Sequence, residues 1–235
     1  MKNSNSNKPS IVLVHGAFSD GSSWKKVIPM LEDEGFTVTA VQNPLRSLVQ
    51  DVETTKRVIE AQKGDVVLVG HSYGGSVITD AAAGNDKVKA LVYVAAFAPD
   101  AGETVGGLIG KFPPADLGTA LAPDSASFLY IDRAKFHHVF AGDVPEGEAS
   151  VMAATQKPIA ASAFGEPVMS AAWKTIPSWY AVTTQDHAVN PDLQQFMAKR
   201  IGAQITEVKA SHVPFLSQPE EIAKVIKSAA LLIQN

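Results

Sequence analysis

Residues Asp65–Gly75, with the sequence DVVLVGHSYGG, place a Gly-x-Ser-x-Gly pentapeptide between a strand pattern and a helix pattern. The run Asp65–Val69 is apolar and rich in β-branched residues, which favours a buried strand. The following residues, Gly75–Ala83, favour a helix. A serine on a sharp strand-to-helix turn sits in strained backbone with its hydroxyl clear of the sheet. The sequence therefore predicts that Ser72 is a nucleophile.

Strand and helix patterns alternate on both sides of this turn. The other predicted strands are Ile11–Val14, Phe36–Val41, Val88–Ala96, Trp179–Thr184 and Ile205–Val208. The other predicted helices are Ser23–Glu34, Leu48–Gln62, Leu193–Arg200 and Pro219–Ile233. Strands joined through helices form right-handed crossovers, and these produce a mostly parallel sheet with helices on both faces. Such sheets carry their sites in the loops at the carboxyl ends of the strands.

The alternation breaks between Pro99 and Thr175, a stretch rich in proline and glycine that shows no clear strand. Short helical patterns occur there at Asp132–Ala141 and Glu146–Thr155. We interpret residues 99–175 as a helical cap inserted after the fourth strand. Residues 1–235 then form a single domain, with a core of residues 10–98 and 176–235.

Composition narrows the possible functions. The chain has 235 residues, of which 46% are hydrophobic, and this is enough for one sizeable core. Its net charge of −4, without a basic stripe, argues against nucleic-acid binding, and no apolar run is long enough for a membrane span. The absence of cysteine excludes disulfides, thiolate metal sites and a cysteine nucleophile.

The sequence also leads to expectations about location and assembly. Residues 1–10 are polar and lack the apolar region of a secretory signal, so we expect a cytoplasmic protein. We expect a monomer or homodimer whose partner is a small molecule.

A serine hydroxyl needs a general base, and that base needs a carboxylate to orient it. His212 follows the sixth predicted strand and therefore lies at the same sheet edge as Ser72. The carboxylate comes from Asp186, directly after the fifth strand, or from Asp100, after the fourth. Both satisfy the chain order nucleophile, acid, histidine, and Asp186 is the tighter fit because Asn190-Pro191 starts a helix just beyond it.

Two backbone N–H groups are candidates for an oxyanion hole, which holds the negative oxygen of a tetrahedral intermediate. One belongs to Tyr73, which follows the nucleophile at the amino end of a helix. The other belongs to Ala17, in the loop after the first strand, where Gly16 allows the backbone to turn towards the site.

We predict no metal site and no cofactor. His15, His71 and His187 all fall near the same sheet edge, but no H-x-H or H-x-x-x-H spacing places two ligands on one face. The pair His137-His138 is interpreted as a solvated face of a cap helix.

The segments His15–Phe18 and Gly70–Gly75, together with Asp186 and Ser211-His212, resemble the α/β-hydrolase superfamily over nearly the whole chain. They are most similar to the compact branch that contains plant methyl-ester esterases, hydroxynitrile lyases and bacterial pyrethroid-hydrolase-like esterases. This resemblance implies a six-stranded sheet in the order 2-1-3-4-5-6. Because only ten residues precede Ile11, the leading hairpin of the family pattern is not expected.

Three positions favour hydrolysis within this branch. The lyases carry threonine after the loop histidine, glutamate before the nucleophile and lysine after the catalytic histidine, where this chain has Gly16, His71 and Val213. Perhydrolase-like members tend to carry methionine after the nucleophile, where this chain has Tyr73.

The resemblance implies a serine-dependent carboxylesterase that acts on small, largely apolar esters through an acyl-enzyme. The residues expected to contact substrate are Phe18, Tyr73, Phe97 and Val213. A ligand-binding, receptor-like role is the main alternative, because such proteins share the triad and pocket. Lyase-like and perhydrolase-like activities are further alternatives.

Overall fold

A computed structural model describes residues 8–233 of the chain. The prediction for residues 1–10 therefore falls mostly outside the described residues. The strands are β1 Ser10–Val14, β2 Val38–Val41, β3 Val66–His71, β4 Val88–Val94, β5 Leu121–Pro123, β6 Phe128–Ile131, β7 Ile159–Ala160, β8 Ser178–Thr183 and β9 Gln204–Val208. The α-helices are α1 Val27–Glu32, α2 Leu48–Ala61, α3 Gly74–Ala81, α4 Val105–Ile109, α5 Arg133–Phe140, α6 Glu146–Thr155, α7 Pro191–Arg200, α8 Pro214–Ser217 and α9 Pro219–Leu232.

Six parallel strands form the main sheet, in the order β2-β1-β3-β4-β8-β9. Counted along the chain within this sheet, that order is 2-1-3-4-5-6, and the prediction is confirmed. The central strands are continuous apolar runs because both faces of a parallel sheet are covered. Helices α1 and α9 pack together in one layer, and α2 packs with α3 in another.

One predicted helix is shorter than expected. The pattern over Ser23–Glu34 resolves into a 3₁₀ turn at Gly21–Trp24 followed by α1. Asp20 caps the start of this 3₁₀ turn, because its carboxylate accepts a hydrogen bond from the Ser22 N–H at 2.7 Å. Pro29 explains the late start of α1, because proline has no N–H to donate and is tolerated only in the first turn.

The insertion between β4 and β8 contains the two predicted helices as α5 and α6, and also a small sheet. Strands β5, β6 and β7 pair antiparallel in that order. The prediction of a cap without strands was wrong on this point. These strands have three, four and two residues, too few for a period-two alternation to emerge, and β5 ends in proline.

Hydrogen bonds attach the cap to the core at two places. Ala160 in β7 donates to the Leu45 carbonyl at 2.9 Å. Glu166 accepts from the Leu48 N–H at 2.8 Å, where the positive end of the α2 dipole favours a carboxylate. On the other side, the Met169 N–H donates to Asp80 Oδ2 of α3 at 2.8 Å. The cap is therefore fixed to the β2–α2 connection and to α3.

Among the described residues, no helix combines the length and the apolar character needed to cross a membrane.

Candidate active site

Ser72 lies directly after β3, at the turn into α3, with a φ of 52°. This left-handed conformation costs a non-glycine residue roughly 1 kcal/mol or more, so its surroundings must enforce it. The backbone N–H of Ser72 donates to the Val94 carbonyl at 3.2 Å, and its carbonyl accepts from Phe97 at 3.0 Å. These contacts with the end of β4 and the residues after it hold the strained turn that the pentapeptide predicts.

Gly16 is required where the loop after β1 reaches the serine. A Cβ atom at Gly16 would lie 2.7 Å from the Cβ of Ser72 and 2.9 Å from the His71 carbonyl oxygen. Both distances are shorter than real Cβ contacts allow. The missing side chain lets the loop lie directly against the nucleophile.

His15 fixes the direction of the next peptide in this loop. Its Nε2 accepts a hydrogen bond from the Asn43 N–H at 3.0 Å, so the ring proton is on Nδ1, which donates to the Gly16 carbonyl at 2.8 Å. Burial lowers the pKa of His15 to about 4, and the ring is neutral. Because the C=O and N–H of a trans peptide point in opposite directions, a fixed Gly16 carbonyl also fixes the Ala17 N–H.

The two predicted oxyanion donors are buried and available. Ala17 is 3% exposed and Tyr73 is 0% exposed. Within residues 8–233, neither backbone N–H has a protein acceptor. Buried N–H groups without a partner are rare in folded proteins, and they suit a site where a negative oxygen forms. Their role in an oxyanion hole stays a prediction.

His212 and Asp186 form a buried pair at the carboxyl end of the sheet. The Nδ1 of His212 donates to Asp186 Oδ2 at 2.7 Å, and both side chains are almost completely buried. His212 lies between β9 and α8, and Asp186 lies between β8 and α7. The structure therefore brings together a histidine and a carboxylate from two different loops, as the sequence predicts.

Asp186 is surrounded by further donors that the sequence analysis missed. Its Oδ1 accepts from the N–H groups of Ala188 at 2.7 Å and Val189 at 2.9 Å. Its Oδ2 accepts from the Thr183 hydroxyl at 2.9 Å and the Gln194 amide at 2.8 Å. Gln194 is completely buried on α7. In the sequence, a polar residue on the inner face of that helix is the feature that could have indicated this role. These donors hold the carboxylate in a single orientation towards His212.

The alternative acid, Asp100, lies elsewhere. Its carboxylate forms an ion pair with Lys174 at 2.5 Å, and its side chain is 36% exposed. The ion pair holds the pKa of Asp100 below its usual value. The structure therefore pairs His212 with Asp186, whereas Asp100 pairs with Lys174, another residue of the cap.

His71 connects the nucleophile turn to the loop of His212. Its Nε2–H donates to the His212 carbonyl oxygen at 2.8 Å, and the two rings lie 4.6 Å apart. Burial, followed by the nearby His212, lowers the pKa of His71 well below its usual value. A neutral His71 thus positions the backbone of His212, a role that the sequence analysis did not predict.

Aromatic rings enclose the pair. Phe140, from cap helix α5, has its ring centroid 5.0 Å from that of His212 and 6.2 Å from that of Phe18. Of the predicted substrate-contacting residues, Phe18, Phe97 and Val213 are all at least 96% buried near this edge. Their contact with substrate stays a prediction.

A cavity of about 300 Å³ opens beside Phe18, between the loop after β1 and cap helix α6. Its apolar lining includes Phe18, Val151, Met152 and Leu216, while the three proposed triad residues are not part of its lining. The charges of Lys25 and Glu148 at this cavity are paired with each other at 2.8 Å. It lies next to the site and has the size of a small ligand pocket.

Tyr73 is held by Asp51, a buried residue of α2. The tyrosine hydroxyl donates to Asp51 Oδ2 at 2.8 Å, and the Leu45 N–H donates to Oδ1 at 2.9 Å. Burial outweighs these two hydrogen bonds and raises the pKa of Asp51 to about 6. The Tyr73 side chain therefore points towards α2, and its predicted contact with substrate stays a prediction.

Asp51→Asn is expected to change how stability depends on pH. Because the folded-state pKa of about 6 exceeds the unfolded value of about 3.9, ionisation costs the folded protein roughly 2–3 kcal/mol. This penalty is absent below about pH 4 and complete above about pH 6. Asparagine imitates the protonated acid, with one acceptor for Leu45 and one donor for Tyr73. Urea unfolding should give similar stabilities at pH 4 and a more stable variant at pH 7.

Wild type and variant share every other carboxylate, so their difference isolates Asp51. Parallel pH profiles for the two proteins would contradict a raised pKa at this position.

The chain resembles hydrolases along most of its length. Residues 11–225 match the alpha/beta hydrolase family. The alpha/beta hydrolase nvfD from Aspergillus novofumigatus is 29% identical over 246 residues, covering 95% of this chain and 97% of its own. A pyrethroid hydrolase from Sphingobium wenxiniae is 30% identical over 249 residues, covering 94% of this chain and 87% of its own.

A solved structure agrees with these matches. The crystal structure of a pyrethroid hydrolase from Sphingobium faniae aligns with a TM-score of 0.82 at 25% identity, covering 94% of this chain and 97% of that chain. The parallel sheet, the serine turn after β3 and the match over residues 11–225 lead to one conclusion: this chain belongs to the alpha/beta hydrolase family.

Proposed function

We propose that this protein is a serine-dependent carboxylic ester hydrolase. The observation that carries the proposal is the buried 2.7 Å hydrogen bond between His212 and Asp186, at the same sheet edge as the strained turn of Ser72. A histidine whose Nδ1 is held by a carboxylate presents its Nε2 as a base. The fully buried His71 links the two halves, because it precedes the serine and binds the backbone of His212.

The proposed reaction uses an acyl-enzyme. His212 takes the proton of the Ser72 hydroxyl while its oxygen attacks the ester carbonyl, and Asp186 stabilises the charged imidazole. The N–H groups of Ala17 and Tyr73 stabilise the oxyanion. The C–O bond to the alcohol breaks as His212 returns the proton to the leaving oxygen. Water, deprotonated by His212, then attacks the acyl-enzyme. The bond between the acyl carbon and the Ser72 oxygen breaks, His212 returns the proton to that oxygen, and the acid is released.

Small, largely apolar esters fit the surroundings best. Phe18 and Phe140 lie within ring-contact distance of each other beside His212. The adjacent cavity of about 300 Å³ is lined by apolar side chains and by polar ones that include Asp20, and its lysine and glutamate pair with each other. An anionic substrate would find no unpaired cation among the residues lining this cavity.

A hydrolysis assay tests the proposal against its rivals. We expect turnover of p-nitrophenyl acetate and p-nitrophenyl butyrate, measured as the release of p-nitrophenol. We expect no cyanide from mandelonitrile, because a cyanohydrin would lack a hydroxyl partner at Gly16 and a cation at Val213. Thermal stabilisation by an ester analogue without any turnover would instead support a receptor-like role and overturn the proposal.

A further inference from the structure

Three exposed side chains from separate parts of the chain meet beside the loop of Asp186. Asp116 comes from a 3₁₀ turn of the cap, His138 from cap helix α5 and His187 from the core. Asp116 Oδ2 lies 3.2 Å from His138 Nε2 and 2.8 Å from His187 Nδ1. One possible ligand atom from each of the three residues lies within 4.8 Å of the other two.

We propose that Asp116, His138 and His187 bind a divalent transition-metal ion of the zinc type. In a tetrahedral zinc site with metal–ligand distances of about 2.0–2.1 Å, neighbouring ligand atoms are about 3.3 Å apart. The two separations of 3.2 and 2.8 Å are already close to this spacing. Small side-chain rotations would therefore bring all three atoms into coordination distance.

The donor set selects the class of metal. Two imidazole nitrogens and one carboxylate oxygen suit Zn²⁺, Co²⁺, Ni²⁺ and Cu²⁺, whereas Mg²⁺ and Ca²⁺ prefer oxygen ligands throughout. The side chains of Asp116, His138 and His187 are 54%, 66% and 47% exposed, so an ion can reach them from solvent. The open side of the site leaves at least one position for water.

The backbone around these ligands is organised before any metal binds. The Leu117 N–H donates to the His187 carbonyl at 3.0 Å, which docks the turn of Asp116 onto the core loop. The Asn190 amide donates to the Pro113 carbonyl at 3.0 Å and supports the same junction. The rings of His138 and His187 lie 4.6 Å apart. Ordering these ligands therefore costs less than it would on a free loop.

An adjoining cavity of about 210 Å³ is lined by both histidines and by Asp143, Gln185 and Ser211. It provides space for metal-bound water. The Asp143 carboxylate accepts from the Ser211 N–H at 2.9 Å, so it is engaged with the residue before His212. A bound metal would join two cap segments to the loop that carries Asp186, and would stabilise the folded protein by mass action.

The experiment titrates ZnCl₂, and separately CoCl₂, into tag-free full-length protein that has been freed of metal with EDTA. Calorimetry should show saturable binding of one Zn²⁺ per chain, and bound Co²⁺ should develop visible absorption. The melting temperature should rise with Zn²⁺ and stay constant with MgCl₂. His138→Ala, His187→Ala and Asp116→Asn should each weaken Zn²⁺ binding by about tenfold or more.

Matched variants serve as controls. His137→Gln changes the neighbouring histidine of α5, whose Nε2–H donates to the Val144 carbonyl at 2.9 Å, and glutamine retains a donor there. Asp192→Asn removes a different exposed aspartate, in the first turn of α7. Both controls should keep the affinity and stoichiometry of the wild type.

Two outcomes would overturn the proposal. One is the absence of saturable Zn²⁺ and Co²⁺ binding to the wild-type protein. The other is binding that persists unchanged in all three ligand variants, which would place the ion elsewhere on the chain. Because binding and melting temperature are measured without substrate, the result does not depend on the proposed esterase function.

Discussion

Ser72→Ala is expected to lower kcat/KM for p-nitrophenyl butyrate by about 10⁵-fold, because no other group in the site can form the acyl-enzyme. The variant keeps the oxyanion donors and the His212–Asp186 pair, so a small residual activity above buffer should remain. Alanine also retains the strained backbone at this position, since both residues carry a Cβ. Initial rates at several ester concentrations, with protein confirmed as folded by circular dichroism, measure the loss.

Ser76→Ala is the matched control for this substitution. Ser76 is also buried, one helical turn further along α3, and its hydroxyl has no hydrogen-bond partner within residues 8–233. Removing that hydroxyl should leave both activity and stability close to those of the wild type. Equal activity of Ser72→Ala and wild type would show that ester hydrolysis does not proceed through Ser72.

Asp186→Asn is expected to reduce kcat by about 10⁴-fold, with a much smaller change in KM. The asparagine oxygen can still accept from the N–H groups of Ala188 and Val189, so the loop should keep its shape. Its NH₂ group then faces His212, which favours the tautomer that cannot act as a base towards Ser72. The measurement is steady-state kinetics together with urea unfolding, which separates lost catalysis from lost stability.

Asp100→Asn, unlike Asp186→Asn, is expected to cause little change in kcat. It removes one partner of an exposed ion pair with Lys174, which costs at most about 1 kcal/mol of stability, and activity should be retained. Inactivation by Asp100→Asn with a fully active Asp186→Asn would reverse the assignment of the acid.

The sequence predicts the sheet order and the position of the site because both depend on local patterns. Apolar runs define the strands, and the alternation with helices makes them parallel. Ser72, Asp186 and His212 each follow a strand, so topology alone brings them to one edge. No tertiary detail is needed for this inference.

The side chains that support the site depend on information that a single sequence does not contain. Thr183 and Gln194 reach Asp186 only because α7 packs against β8 with one particular face inward. Asp51 reaches Tyr73 across two helices that pack side by side. Asp116, His138 and His187 share no spacing, and the cap fold alone brings them together.

The hydrogen bonds between the cap and the β2–α2 connection also bear on how this chain folds. If residues 99–175 were removed, the Leu45 carbonyl and the Leu48 N–H would lose the Ala160 and Glu166 partners that satisfy them. The ring of His212 would also lose its contact with Phe140. Cap and core therefore share hydrogen bonds and a ring contact that would all be lost together with the cap. A cap taken from a relative must therefore bring its own donor for the Leu45 carbonyl and its own acceptor for the Leu48 N–H.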